Sequence, residues 1–147
     1  MNIEAVPVAL CVIVRNINKE NCEIFLQKRI EDGPLNGLYE FPGGKVEVDE
    51  SPEEAAKREF LEETGTKIDS IINLNTYKYE YSDRKVKLHV FIADGSKKDM
   101  SKGAWKKLNF NNLELLISRM PQANKKILID LKNYIDQQLP LWSHLWI

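Results

Sequence analysis

The stretch from Gly43 to Thr66 constrains the fold more than any other part of the chain, because it carries signals for both ends of a helix. Ser51 is a predicted N-cap, Pro52 occupies the first helical position, and Glu54 completes a capping box with Ser51. Gly65 is the predicted C′ residue at which the helix ends. We therefore expect a helix with fixed ends, preceded by an acidic loop and a glycine turn.

This helix carries several carboxylates on one face. Glu62 and Glu63 follow Glu59 at the i+3 and i+4 positions, where side chains are neighbours. Such like charges destabilise an isolated helix by about 0.2–0.5 kcal/mol per pair, and Arg58 offsets part of the repulsion. A Mg²⁺ ion would explain the crowding, since it takes oxygen ligands from carboxylates and substrate phosphates. The glycine pair Gly43-Gly44 would let the backbone approach such a ligand, although the carboxylates alone also fit a solvated acidic face.

The spacing of these residues matches a known motif. Glu50 follows Gly44 after five residues, and Arg58-Glu59-Phe60-Leu61-Glu62-Glu63-Thr64-Gly65 begins after seven more. This resembles the Nudix box, G-x5-E-x7-R-E-U-x-E-E-x-G-U, at every fixed position. The one departure is Thr66, where the family usually has an aliphatic residue.

The resemblance implies a Nudix hydrolase with an α/β/α sandwich fold and a mixed β-sheet, which cleaves a diphosphate linked to another moiety and uses Mg²⁺ or Mn²⁺. The implied catalytic residues are Glu50, Arg58, Glu59, Glu62 and Glu63. The implied metal ligands are Glu59 and Glu63, with Glu62 as a ligand or base and Gly44 offering its carbonyl oxygen. Glu50 would orient the loop or assist the base, and Arg58 would hold the carboxylates in place.

Segments outside the box are similar to the MutT branch of the family, which removes pyrophosphate from oxidised purine nucleotides. The similarity covers roughly residues 8–131, and its segments are 25–29, 39–45, 82–84 and 121–124. It implies hydrolysis of 8-oxo-dGTP or a related purine (d)NTP to the monophosphate and pyrophosphate. Two alternatives stay open. One is another substrate, such as a pyrimidine (d)NTP, a sugar nucleotide or a dinucleoside polyphosphate, and the other is a non-catalytic nucleotide-binding domain.

Four residues are implied to bind the substrate: Lys28, Phe41, Arg84 and Asn124. In MutT-like enzymes an Asn in a late PxxN element reads the purine edge, which corresponds to Asn124 here, and a carboxamide offers both the donor and the acceptor that a guanine-like edge needs. Asn124 is equally placed to be the N-cap of the last helix. Phe41 would pack on the base or in the core, and Lys28 and Arg84 would contact phosphate or base or stay solvated.

One position departs from the MutT pattern. MutT-like enzymes usually have a Glu immediately before the tryptophan that corresponds to Trp105, and this Glu completes the metal site or acts as base. Here that position is Ala104, which has no ligand atom. The sequence offers three candidate replacements by proximity alone: Asp94, Asp99 and Glu114.

The remaining patterns predict strands and helices around the box. We expect strands at 8–14, 23–28, 38–41, 71–75, 78–81, 85–93 and 105–108, and helices at 111–119 and 121–138. The whole chain, 1–147, fits a single domain, and its last nine residues, 139–147, form an apolar tail without periodicity.

Composition limits the partners. The formal net charge of −1 gives no basic excess for a nucleic-acid duplex or an anionic membrane, so the expected partner is a small nucleotide. Cys11 and Cys22 lack metal-site spacing and are expected to be free thiols, typical of a cytoplasmic protein. The chain would act as a monomer or a homodimer.

Overall fold

The computed structural model describes residues 4–30, 32–96, 98, 100 and 103–142, with side chains up to residue 138. The strands are β1 (Ala5–Arg15), β2 (Asn21–Lys28), β3 (Tyr39–Glu40), β4 (Gly43–Lys45), β5 (Ile72–Glu80), β6 (Lys85–Asp94) and β7 (Ala104–Asn109). The helices are α1 (Pro52–Thr64), α2 (Glu114–Ile117) and α3 (Lys125–Trp142), with a 3₁₀ turn at Gln122–Asn124.

Strand β1 is the centre of a mixed sheet. It pairs with β6 in parallel over its whole length, from Ala5↔Lys85 to Val14↔Asp94. Its other edge pairs antiparallel with β4 near Ala9 and with β2 near Val14. Strand β5 pairs with β6, and both β3 and β7 pair with β2. The apolar run in β1 is buried on both faces, as is typical of a central strand.

Side chains that alternate along β1 belong to two separate cores. Val12 and Val14 pack in the cluster that contains Leu131 and the other buried residues of α3. Cys11 and Ile13 pack in the cluster that contains Phe60 of α1. Helices therefore cover both faces of the sheet, which confirms the α/β/α sandwich with a mixed β-sheet.

The ends of α1 are those that the sequence predicts. The Ser51 Oγ accepts a hydrogen bond from the Glu54 N–H at 3.1 Å, and Glu54 Oε1 accepts one from the Ser51 N–H at 3.3 Å. Gly65 has φ 75°, and its N–H donates to the Leu61 carbonyl at 2.9 Å. The caps therefore fix where the carboxylate face begins and ends.

The glycine pair does not form the predicted turn. Gly43 and Gly44 lie in β4, opposite Leu10 and Ala9 of β1. A Cβ on Gly43 would lie 2.3 Å from the Ala9 carbonyl oxygen, so the two strands approach too closely for a side chain. The prediction was wrong because this pairing joins positions far apart in the sequence, which a local glycine pattern does not reveal.

Other boundaries differ by a few residues. The two strands predicted at 71–75 and 78–81 are one strand, β5, with an irregularity between Asn73 and Asn75. The helix predicted at 111–119 is only α2, and α3 continues to Trp142 beyond the predicted end. The apolar tail thus begins as helix, and residues 143–147 lie outside the described part of the chain.

Both cysteines are buried free thiols, as predicted. Burial raises the pKa of the Cys11 thiol and of the Cys22 thiol to about 12, so neither is a reactive thiolate. Within the described residues, every helix is too short or too polar to cross a membrane.

Candidate active site

The functional carboxylates lie where β4 meets α1. A Cβ added to Gly44 would lie 2.4 Å from the Glu59 carboxyl carbon, so the Glu59 carboxylate packs directly on the Gly44 backbone. Only glycine leaves this space open. The pairing of β4 with β1 fixes Gly44, and the caps of α1 fix Glu59, so both partners in this contact are held by secondary structure.

Glu63 lies beside the same strand. Its Oε2 accepts a hydrogen bond from the Gly43 N–H at 3.2 Å. The pKa of the Glu63 carboxyl is raised to about 7, mainly by burial and further by the negative charges of Glu59, Glu40 and Glu62, while the Gly43 hydrogen bond lowers it. A crowded, half-buried carboxylate of this kind is one that a bound cation stabilises.

Arg58 connects the carboxylates to the loop before α1. Its Nε donates to Glu50 Oε2 at 2.7 Å and its Nη2 to Glu50 Oε1 at 3.0 Å, which lowers the pKa of Glu50. Its Nη1 donates to Glu59 Oε1 at 3.0 Å and to Glu62 Oε2 at 3.3 Å. The hydrogen bond with Glu50 in turn raises the pKa of Arg58, so the guanidinium stays charged. Arg58 therefore holds carboxylates in place, as the resemblance implies.

The donor set suits a hard divalent cation. The available ligand atoms are all oxygens, from the Gly44 carbonyl and the carboxylates of Glu59, Glu62 and Glu63. Mg²⁺ prefers oxygen ligands, whereas softer metals favour sulfur or nitrogen. Within the described ranges, however, no group of three acidic, histidine or cysteine side chains surrounds one point as a closed metal cage does. Glu59 and Glu62 point toward Arg58 instead. The arrangement fits an open site, to which a substrate would add further oxygen ligands.

A cleft of about 230 Å³ lies near these carboxylates, because its lining includes Leu10, which pairs with Gly43, and Glu40, whose charge acts on Glu63. Its polar and aromatic lining residues include Arg29, Glu40, Phe41, Tyr81, Arg84 and Asn124. Three of the four predicted substrate residues therefore line one cavity. Phe41 is 4% exposed and packs in the core, as one of its two expectations has it, and it also lines the cleft; base contact stays a prediction.

Asn124 is the unusual residue of this cleft. It is only 9% exposed, yet its side chain makes no hydrogen bond with any described residue. Its polar atoms are not fully enclosed, because no fully buried side-chain nitrogen or oxygen in the described residues lacks a partner. The side chain thus caps no helix, contrary to one of the two expectations. A buried amide without a protein partner needs a ligand or water to satisfy it.

Lys28 does not line the cleft, whereas its neighbour Arg29 does. Lys28 is exposed and lies opposite Tyr39 in the β2–β3 ladder. Lys28 shares its face of β2 with Leu26, which packs in the same core cluster as Phe41, so Lys28 lies on the cleft side of the sheet but beyond the residues that line the cleft. Arg29 Nη1 forms an ion pair with Glu40 Oε2 at 3.0 Å, and sequence patterns singled out neither residue.

Neither described candidate replaces the carboxylate missing at Ala104. Asp94 pairs with Val14 of β1, five residues beyond the Ala9 that pairs with Gly44, which is about 17 Å along the strand. Glu114 forms an ion pair with Lys125 at 3.1 Å, on the face of the sheet that α3 covers. Asp99 lies outside the described residues.

The chain is similar to proteins of known family. A model of the NUDIX domain matches residues 5–129. The 8-oxo-dGTP diphosphatase of Escherichia coli (strain K12) is 32% identical over 128 residues, which cover 84% of this chain and 96% of that protein. The 8-oxo-dGTP diphosphatase of Proteus vulgaris is 33% identical over 78 residues, which cover 53% of this chain and 70% of that protein.

Fold comparison agrees with this assignment. A structure from a study of MutT from Aliivibrio salmonicida and Vibrio cholerae superposes with a TM-score of 0.70 at 24% identity, over 89% of this chain and 99% of that one. The domain match covers the carboxylate helix, the glycine strand and most of the cleft. This chain belongs to the Nudix family.

Proposed function

We propose that this Nudix hydrolase converts 8-oxo-dGTP or a related purine (d)NTP to the nucleoside monophosphate and pyrophosphate. The observation that carries the proposal is the buried Asn124 amide, which has no protein partner in the described residues. It lines the same cleft as Glu40, whose charge acts on Glu63 of the carboxylate helix. The two curated relatives named as 8-oxo-dGTP diphosphatases support the same substrate class.

Recognition of the base follows from the chemistry of the cleft. The Asn124 carboxamide can donate to one atom of a purine edge and accept from the next, which a hydroxyl or a carboxylate does less selectively. Phe41 offers an apolar ring against which a base packs. Arg84 lies over the Tyr81 ring at 4.9 Å, so its guanidinium is held at the cleft rim to meet a phosphate or a base oxygen.

Nudix hydrolases in general need a divalent metal ion, usually Mg²⁺, for which Mn²⁺ is the expected substitute. In this chain Glu59, Glu62, Glu63 and the Gly44 carbonyl would hold it. Such an ion neutralises diphosphate oxygens and makes a bound water easier to deprotonate. Arg58 and Glu50 keep the carboxylates and their loop in register for that role.

A general base must have a pKa near the working pH. Glu63 meets this condition before any ligand binds, because burial and neighbouring negative charges bring the pKa of its carboxyl to about 7. The Glu62 carboxylate is more exposed than that of Glu59. Arg58 binds one of its two oxygens, so the other is free to accept a proton from water. We assign metal binding to Glu59 and Glu63 and keep Glu62 as ligand or base.

The proposed partner is a free nucleotide in the cytoplasm, met by a monomer or a homodimer. Two buried free thiols fit a reducing compartment. No role in binding a nucleic-acid duplex or a membrane is proposed.

A substrate panel tests the function. With Mg²⁺ present, kcat/KM for 8-oxo-dGTP should exceed that for dGTP and dCTP, and the products should be monophosphate and pyrophosphate. Asn124→Ala should lower the preference for 8-oxo-dGTP by roughly ten- to a hundredfold, because a site built to hydrogen-bond its ligand loses a partner. Equal rates for all three nucleotides would contradict the purine assignment. Turnover of a sugar nucleotide or a dinucleoside polyphosphate instead would move the enzyme to another Nudix substrate class.

A further inference from the structure

Three cations gather around one tyrosine next to the nucleotide cleft. The Lys106 Nζ and the Arg119 Cζ each lie 4.7 Å from the centre of the Tyr39 ring. The Arg119 Nη2 donates a hydrogen bond to the Tyr39 hydroxyl at 3.2 Å. Lys28 is directly opposite Tyr39 in the β2–β3 ladder. We call Lys28, Lys106 and Arg119 the cation cluster.

No carboxylate lies within ion-pair distance of this cluster in the described part of the chain. None of the three side chains forms an ion pair with a described residue. The charges that act on the Tyr39 hydroxyl are those of Lys106, Arg119 and Lys28, and together with a hydrogen bond from Lys106 they lower its pKa. Cations held this close without a counter-charge repel one another, and a bound anion would relieve that repulsion.

The cluster continues the nucleotide cleft. Tyr39 and Phe41 point to the same side of their extended segment, about 7 Å apart along it, and Phe41 lines the cleft. Arg119 stands two residues before Pro121, which also lines the cleft. The carboxylates of α1 lie past the other end of this segment, beside Gly43 and Gly44. The cluster is therefore at the side of the base site away from the metal-binding carboxylates.

We propose that the cation cluster is a second phosphate subsite, which takes a phosphate carried on the ribose 3′ side of a nucleotide in the cleft. This inference rests on the proposed function for the orientation of that nucleotide. The 5′ oxygen then carries the phosphates at the carboxylates, and the base edge meets Asn124. The ribose hydroxyls are the positions at which a nucleotide with a 5′ phosphate commonly carries a further phosphate. The ligand class is a nucleoside 3′,5′-bisphosphate or the phosphorylated 5′ end of a single-stranded oligonucleotide.

Guanosine 5′-monophosphate and guanosine 3′,5′-bisphosphate are suitable probes, because neither contains a diphosphate bond that the enzyme would cleave. Isothermal titration calorimetry with the full chain should show the bisphosphate binding roughly tenfold more tightly than the monophosphate. This advantage should shrink between about 50 and about 200 mM salt, since phosphate contacts weaken with salt. The 5′-phosphorylated dinucleotide pGpA should show the same advantage if oligonucleotides are the source.

Lys106→Ala should remove the advantage of the bisphosphate and leave the affinity for the monophosphate unchanged. Lys28→Ala should act in the same direction. Lys107→Ala is the matched control, because it removes the same charge from the next position of β7, on the other face of the strand. Equal affinities for the two probes in the wild type would overturn the subsite, as would an advantage that survives in Lys106→Ala.

Turnover of 8-oxo-dGTP, measured in the same preparations, separates the two proposals. Normal turnover without a bisphosphate advantage overturns the subsite and leaves the proposed function intact. A bisphosphate advantage that depends on Lys106, in a protein without 8-oxo-dGTP turnover, supports the subsite and overturns the proposed substrate.

Discussion

Arg58 binds both carboxylate oxygens of Glu50, with Nε donating to Oε2 at 2.7 Å and Nη2 donating to Oε1 at 3.0 Å. Glu50 Oε1 also accepts a hydrogen bond from the Glu47 N–H at 3.0 Å, so the same carboxylate closes the loop before α1. Because the third nitrogen of Arg58 reaches Glu59, one guanidinium joins this loop to the carboxylate face of α1. The strength of this connection depends on the planar fork of arginine.

Arg58→Lys tests the fork, since it keeps the charge and removes the paired hydrogen bonds. We expect kcat/KM to fall at least about tenfold, because lysine cannot hold Glu50 and Glu59 together. Steady-state kinetics with Mg²⁺ measure the change. Lys57→Ala is the control, because the Lys57–Glu53 ion pair is long, at 3.8 Å, and its loss should change stability by less than about 0.5 kcal/mol. Full activity in Arg58→Lys would contradict the role.

The pKa of Glu63 predicts a pH dependence of stability in the metal-free protein. The folded-state pKa of about 7 lies above the ordinary value of 4.5, so folding favours the protonated carboxyl. The stabilising contribution of Glu63 is complete below pH 4.5 and is lost as the pH rises through about 7. Denaturant unfolding of wild type and Glu63→Gln, compared across this window without metal, should show this loss only in the wild type.

Mg²⁺ provides the second arm of the same experiment. A bound cation favours the ionised carboxylate, so saturating Mg²⁺ should flatten the pH dependence of the wild type and add less stability to Glu63→Gln. Parallel curves for the two proteins in both conditions would show that Glu63 titrates normally and does not bind the ion.

Gly44→Ala is expected to damage the site more than the fold. The added Cβ would lie 2.4 Å from the Glu59 carboxyl carbon, and this flexible side chain can swing away at small cost to folding. The affinity for Mn²⁺, measured by calorimetry, should fall by roughly ten- to a hundredfold because Glu59 leaves its position.

Gly65→Ala is the matched comparison for Gly44→Ala. Gly65 has φ 75° and open space around its Cα, so alanine there meets backbone strain without a clash. Stability should fall by about 1 kcal/mol while Mn²⁺ affinity stays near that of the wild type. Equal Mn²⁺ affinities in the two variants would show that the contact between Gly44 and Glu59 does not matter for the ion.

Tyr79→Phe should loosen the turn that holds Asn124, the residue proposed to bind the base. The Tyr79 hydroxyl donates to the Ala123 carbonyl at 2.8 Å and so anchors the 3₁₀ turn that carries Asn124. Without it we expect KM for 8-oxo-dGTP to rise about fivefold with little change in kcat. Tyr77→Phe is the control, because the Tyr77 hydroxyl donates a hydrogen bond to Asp130 Oδ2 of α3 at 2.5 Å, outside the cleft. It should lower stability by about 1 kcal/mol and leave KM unchanged.

The parts of this molecule that depend on interactions between residues close in sequence were predicted correctly. The caps of α1, the carboxylate face and the hairpin of β5 and β6 all follow from residues within a few positions of one another. Asn124 was singled out through the PxxN resemblance, although only the structure reveals that its amide has no hydrogen-bond partner among the described residues. Local sequence therefore predicted the helix that carries the carboxylates, while their role in binding a metal stays a prediction.

Features that depend on distant pairing escaped prediction. Gly43 lies in a strand because it pairs with β1 at Ala9 and Leu10. No residue near Gly43 in the sequence predicts this pairing. Whether Lys28 or Arg29 lines the cleft depends on where the cleft ends beside β2, which only the assembled sheet decides. Glu40 gains its influence on Glu63 in the same way. The cleft side of the site is thus a product of tertiary structure.

The parallel pairing of β1 with β6 has a consequence for synthesis on the ribosome. The edge of β1 that pairs with β6 stays unpaired until Lys85–Asp94 has been synthesised. The whole Nudix box lies between these two strands in the sequence and leaves the ribosome before that pairing forms. Helix α1 packs on both strands, since Ala55 and Ala56 share a core with Ala9 and Phe91. The nascent chain therefore displays its acidic helix without a completed sheet to support it, and the carboxylates acquire their geometry only after the sixth strand has left the exit tunnel.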